Sequence, residues 1–275
     1  MSRIERNSLG RPAGPVPSTV VTTSSRARSF GAAAAAYAEH RPGYPDAAVD
    51  WALAPVAGGE LRLLDLAAGT GKLTEPMRSR GAVVAVEPDP AMRAELVARF
   101  PDVDAREGSA EAIPLPDGTV DAVLVGQAWH WFDPDAALAE VARVLRPGGV
   151  LAAIWNRDDT RVDWVSGMYE VGRWRSAVVR GPDEELRLPA HAAFAADGFA
   201  QFANPVRTTV DGLIASLNTH SWALTADPGE REATFERVRT YLATRPETAA
   251  GAFDLPLVTD VVRVVRRERV PCSPA

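Results

Sequence analysis

Short apolar runs alternate with amphipathic stretches along the middle of the chain. Apolar runs at 61–66, 82–87, 103–107, 120–126 and 149–155 read as strands. Segments 71–80, 90–100 and 134–145 between them carry helical spacing. Strands of this length alternating with helices indicate βαβ units around a parallel sheet buried on both faces. Upstream, an alanine-rich helix is expected from 29 to about Glu39, then the proline-punctuated turn Arg41-Pro42-Gly43-Tyr44-Pro45 and a short helix from Asp46 to Leu53. Beyond residue 156 the pattern loosens. Helices are expected near 161–177, 183–197 and 228–244, a strand around 199–210, and a closing β-branched strand at 255–266. Arg263, Arg266, Arg267 and Arg269 read as the solvated side and charged end of an edge strand.

The first strand runs into Asp65-Leu66-Ala67-Ala68-Gly69-Thr70-Gly71, and the second ends on Glu87. A glycine turn after a strand lets a ligand approach the backbone closely. An acid at the end of the next strand is placed to accept from ribose hydroxyls. Together they point to a nucleoside-containing cofactor. Asp65 would repel a pyrophosphate, and Gly69-Thr70-Gly71 lacks the third glycine of Gly-x-Gly-x-x-Gly. A cofactor bearing an ammonium and a sulfonium, S-adenosylmethionine (SAM), suits the carboxylate better.

Composition narrows the field. The 275 residues, 46% hydrophobic, suffice for a real core, and a net charge of −6 argues against nucleic-acid or anionic-membrane partners. Cys272 is the sole cysteine, so no disulfide framework, zinc site or thiol nucleophile is expected. No apolar run reaches the roughly 18 residues of a membrane span. A cytoplasmic protein, monomer or homodimer, is expected. Residues 1–28 lack apolar periodicity and read as a disordered leader. The remainder, 29–270, reads as one domain, with a core at 57–156 and an acceptor-binding region at about 156–245.

Four blocks give the chain its family resemblance: Asp65 to Gly71, Val86-Glu87-Pro88-Asp89-Pro90-Ala91-Met92, Gly108 to Asp117, and Gln127-Ala128-Trp129-His130-Trp131-Phe132-Asp133. Val144 to Gly149 matches the usual turn into the fifth strand. The chain resembles class I SAM-dependent methyltransferases, in the group that includes trans-aconitate methyltransferase-like enzymes and small-molecule methyltransferases of secondary metabolism. The resemblance implies a seven-stranded, mostly parallel, doubly wound Rossmann-like sheet with helices on both faces and the last strand antiparallel. It implies that Asp65, Ala67, Gly69 and Gly71 line the methionine and ribose end. Glu87 would hold the ribose hydroxyls, Pro88 and Met92 would pack on the adenine, and Ser109, Ala110 and Glu111 would sit at its edge. Gln127 and Ala128 would back the ammonium and sulfonium, and Tyr37 and Arg41 would belong to a lid. The family often carries glycine where Ala67 stands.

Methyl transfer to a carboxylate needs no base, whereas a hydroxyl or phenol must lose its proton. His130, just past the fourth strand, is the best-placed catalytic histidine, with packing between Trp129 and Trp131 as its other reading. His40 and His220 are weaker candidates. Trp155, Trp164, Trp174 and Trp222 could stack on a planar acceptor, and Arg157, Arg161, Arg173 and Arg175 could grip carboxylates. No His/Asp/Glu spacing suggests a metal site. The acceptor is expected to be a small molecule methylated on oxygen. A catalytically silent SAM-binding regulator and an NAD(P)-dependent oxidoreductase stand as alternatives.

Overall fold

A computed structural model describes residues 41–56, 58–172 and 188–268. The proposed leader, the 29–39 helix, Tyr37, His40, Arg173, Trp174, Arg175 and Arg269 lie outside them. Helix α1 (Asp46–Leu53) leads into β1 (Leu61–Leu66). Then come α2 (Thr74–Met77), β2 (Gly81–Val86), α3 (Pro90–Arg99), β3 (Asp104–Arg106), β4 (Val120–Gly126), α4 (Pro134–Val144) and β5 (Leu145–Asp158). The second half adds α5 (Asp163–Gly172), β6 (Phe194–Ala203), β7 (Val206–Thr208), α6 (Val210–Asn218), α7 (Ser221–Thr225) and α8 (Pro228–Ala243). It ends with β8 (Phe253–Leu255) and β9 (Leu257–Arg266).

The seven-stranded sheet has the order β3-β2-β1-β4-β5-β9-β6, and β7 pairs with β8 apart from it. Strands β1 to β5 pair in parallel, while β9 runs antiparallel to both β5 and β6. Strand alternation divides the core. Leu64, Leu66, Val123 and Val125 meet Leu138 and Val141 of α4 on one face. Leu63, Ala122 and Leu124 meet Val49 and Leu53 of α1 on the other. A third cluster joins α5, α6 and α8 through Met168, Leu213, Phe235 and Leu242. It builds a separate layer beyond the sheet.

Three Asp-Pro pairs start helices. Asp89, Asp133 and Asp227 each accept two backbone N–H bonds ahead of α3, α4 and α8, with proline just inside. Each first turn therefore has two of its orphan donors satisfied.

Four expectations change. The 71–80 helix shrinks to Thr74–Met77, because Gly69 and Gly71 take left-handed φ and delay its start. The described part of the 183–197 helix, 188–197, is not helical, and β6 starts at Phe194. Its alanines favour a helix, but nine residue pairings with β9 outweigh that propensity. The 199–210 strand is split by Asn204-Pro205, and α6 follows at once. Finally, β9 is no edge strand. It lies between β5 and β6, and Arg263 donates to Asp197 and to the Trp51 carbonyl. Its guanidinium carbon lies 4.0 Å from the centre of the Trp51 ring. Arg266 donates to the Leu145 carbonyl, and Arg267 to that of Phe194.

Candidate active site

Among the described residues, two non-glycines take left-handed φ: Ala67 at 58° and Gln127 at 59°. Each stands one residue past a strand, and those strands, β1 and β4, are parallel neighbours. Such a conformation costs an L-residue about 1–2 kcal/mol, and strain of this kind clusters at functional sites. Neighbours hold both turns in place. Gln127 donates its N–H to Ile154 O at 2.9 Å and its side-chain amide to Asn156 O at 2.8 Å. Ala68 donates to Val86 O at 3.1 Å. Gly71 needs its missing Cβ as well as its φ of 84°, since a methyl there would lie 2.8 Å from the Phe100 ring.

Two buried acids stand at these strand ends. Asp65 is 1% exposed and Glu87 6%. Thr74 donates its hydroxyl to Asp65 Oδ2 at 2.6 Å, whereas Asp65 Oδ1 and Thr70 Oγ1 are buried without a hydrogen-bond partner. Burial first, and the Glu87 charge with it, push the Asp65 carboxyl up to about 7 against the pull of Thr74. Gly69 N–H donates to Glu87 Oε2, and Asp89 N–H to Oε1, each at 2.8 Å. Burial also raises the Glu87 carboxyl, while these two amides and Arg93 oppose the rise. A buried acceptor with no partner beside a second acid suits a ligand that brings an ammonium and hydroxyls. The residues fit SAM.

The other resemblance residues follow the carboxyl ends of β2, β3 and β4. Met92 is buried at the start of α3, where its N–H donates to Asp89, and Pro88 is half-buried between Glu87 and Asp89. Ser109 bridges Ala112, Ala110 is buried, and exposed Glu111 accepts from Asp133 N–H at 3.0 Å. Ala128 is half-buried against the α4-side core. His130 is exposed on the single turn Trp129–Trp131, with its ring 4.6 Å from that of Trp131.

A polar seam ties the 41–45 segment to the strand ends. Asn156 and Asn204 both donate to Gly43 O, and Asn156 Oδ1 accepts from Thr259 at 2.6 Å. Gly126 permits the approach, because a Cβ there would lie 2.6 Å from the Tyr44 hydroxyl. Arg41 reaches across to Thr219, donating to its hydroxyl at 2.9 Å and its carbonyl at 3.2 Å. Thr74, Asn156, Asn204 and Thr259 escaped the sequence reading, and Asp89 entered it only inside a motif block. Thr74, in the turn after the glycines, Asp89, before a proline, and Asn156, at the end of an apolar run, carry a local signal.

Several candidates are committed elsewhere. Trp164 and Trp222 pack edge-on against Phe253 and Phe235, and Trp155 packs against the α4-side core. Arg157 bonds Asp260 at 2.7 Å and Arg161 bonds Asp159 at 2.7 Å. Among the described residues, no His/Cys/Asp/Glu group could hold a metal, and no helix is long and apolar enough to cross a membrane.

Strand order, strand-end acids and the glycine turn together describe a nucleoside-cofactor site of the methyltransferase type. A methyltransferase domain family matches residues 64–153. An uncharacterised methyltransferase of Mycobacterium tuberculosis is 44% identical over 86% of this chain and 94% of its own length. An uncharacterised methyltransferase-like protein of Schizosaccharomyces pombe is 35% identical over 74% of this chain and 82% of its own. The structure of a putative type II methyltransferase from Anaeromyxobacter dehalogenans superposes with a TM-score of 0.61 at 29% identity, covering 82% of this chain and 97% of that one. The chain belongs to the class I SAM-dependent methyltransferases, and SAM is its cofactor.

Proposed function

We propose that this enzyme methylates an oxygen, in a hydroxyl or a carboxylate, on a small-molecule acceptor, in secondary metabolism. SAM supplies the methyl on a sulfonium, an already activated leaving group. What remains for the protein is positioning and exclusion of water, and positioning can lower a barrier by roughly 7–11 kcal/mol. In this reading Asp65, Ala67, Gly69 and Gly71 hold the methionine and ribose end, and Glu87 takes the ribose hydroxyls. Pro88, Met92, Ser109, Ala110 and Glu111 surround the adenine, with Gln127 and Ala128 behind the sulfonium. Arg41 and Tyr37 serve the lid, and His130 stands at the acceptor opening.

One observation supports the oxygen assignment above others. At the end of β5, Arg41, Asp158 and Tyr169 offer hydrogen-bonding groups of both polarities beside an otherwise apolar cap. Within 156–245, α5, α6 and α8 supply that cap, and the acceptor region is assigned to it. The test is incubation with SAM and a panel of small hydroxy and carboxylic compounds. A product heavier by one methyl on oxygen is expected, with one S-adenosylhomocysteine released per product. Methylation on carbon or nitrogen would exclude the oxygen reading. Tight SAM binding without transfer across the panel would favour the silent regulator.

A further inference from the structure

Strand β4 makes its last pairing with β5 at Gly126 and Ile154, and Gln127 then turns away with a φ of 59°. The Asn156 carbonyl lies two residues beyond that last pairing. There the Gln127 side chain takes the place of the next rung, donating Nε2 to Asn156 O at 2.8 Å. An amide held by its nitrogen on a carbonyl offers its oxygen as the remaining acceptor. That is the polarity an ammonium or a sulfonium calls for. Asn156 thus decides which end of the Gln127 amide is left for the cofactor.

The Asn156 side chain is itself fixed by a closed triangle. Its Nδ2 donates to Gly43 O at 2.9 Å. Asn204 Nδ2 donates to the same oxygen at 3.0 Å and to Asn156 Oδ1 at 3.2 Å. Thr259, fully buried and directly across the β5–β9 ladder, adds its hydroxyl to Oδ1 at 2.6 Å. Two donors converge on Oδ1, so turning the amide over would set one Nδ2 against another. Segments far apart in sequence therefore lock one residue whose carbonyl serves Gln127.

We propose that Asn156 is a positioning residue of the cofactor site, acting through Gln127 and held in place by Gly43, Asn204 and Thr259. This rests on the reading that places Gln127 behind the sulfonium. Cofactor grip then depends on three residues to which no cofactor contact is assigned. It also demands a carboxamide at 156, since both ends of that group are used. An aspartate of the same size would turn an acceptor toward Gly43 O, and an alanine would release the whole triangle.

The test is a double-mutant cycle on the full chain, read by calorimetry of S-adenosylhomocysteine at one fixed, neutral pH. Asn156→Asp is expected to lower affinity roughly tenfold, the scale of one or two lost hydrogen bonds. Gln127→Asn tolerates the left-handed φ but is one methylene shorter, so its amide falls short of Asn156 O and binding should weaken. In that background Asn156→Asp should cost less than about twofold, because the two residues act as one unit. A general loosening of the fold would instead lower affinity by the same factor in both backgrounds. Where Asn156→Asp does not fold, Asn204→Ala removes two sides of the triangle and should give the same pattern with a loss of roughly threefold. Equal losses in both backgrounds, or unchanged affinity in the variant that folds, would overturn the proposal alone. Unchanged affinity in Gln127→Asn would remove Gln127 from the cofactor site, and the proposal would fall with that reading.

Discussion

Gly69 donates its backbone N–H to Glu87 Oε2 at 2.8 Å, so the glycine turn after β1 is clamped by the acid that ends β2. The contact keeps Glu87 in place, and each carboxylate oxygen retains a second lone pair for a ribose hydroxyl. Glu87→Ala should lower SAM affinity by roughly one to two decades, as expected for hydrogen bonds to a charged group worth about 1.5–3 kcal/mol. Isothermal calorimetry on the folded variant measures it. Unchanged affinity would remove Glu87 from the site.

Asp65 should make cofactor binding pH-dependent. Its carboxyl is pushed up to about 7, so below that pH a proton competes with the cofactor ammonium. SAM affinity should fall as pH drops from 8 to 6, and Asp65→Asn should abolish that slope with a loss of one to two decades (a rough expectation from a lost charged partner).

The same shift acts on stability. The folded carboxyl binds its proton more tightly than the unfolded one at 3.8, so its contribution to stability falls as pH rises from there to about 7. Asp65→Asn should therefore raise the Tm of the ligand-free protein at pH 8 and change it little at pH 4. A lower Tm at pH 8 would contradict the burial argument.

Ala67→Gly should be tolerated or stabilising. It relieves a left-handed φ that costs an L-residue about 1–2 kcal/mol, against roughly 0.5–1 kcal/mol of added chain entropy. Urea unfolding should show a gain of up to about 1 kcal/mol, with SAM affinity undiminished. A clear loss in either would show that the methyl makes contacts of its own.

Gly126→Ala should disturb the segment before α1. The new Cβ would meet the Tyr44 hydroxyl at 2.6 Å and its ring carbon at 3.1 Å. A Tm drop of several degrees, partly restored by adding Tyr44→Phe, is expected from overpacking of about 1–3 kcal/mol. No drop would mean that Tyr44 gives way freely.

Apart from the shortened helix after the glycines, the stretch from β1 to α4 was legible because its signals are local. Apolar runs bounded by glycine, strand-end acids and proline turns name their own elements, and the Gly69 turn needs no distant partner to be recognised. The region after β5 depends on pairing across long separations. Residues 194–203 carry helix-favouring alanines and become a strand only because Val258 to Arg266 are there to pair with them. Arg263 looked solvated because nothing near it in sequence shows that Trp51, more than two hundred residues earlier, covers it. The Asn156 seam was illegible for the same reason, since Gly43, Asn204 and Thr259 meet it only in space.

The place of β9 has a consequence for the order in which the molecule comes into being. A ribosome delivers β5 about a hundred residues before the strand that fills its open side (Asp158 pairs with Leu257). Until then the backbone groups of Val150 to Asp158 on that side lack their pairing, a state open to aggregation in a nascent chain. Asn156 likewise waits for the hydroxyl of Thr259 before it can present Gln127 with a fixed carbonyl. The capacity to grip a cofactor is thus among the last properties the growing chain acquires, and whatever shields β5 during synthesis guards the catalyst before it exists.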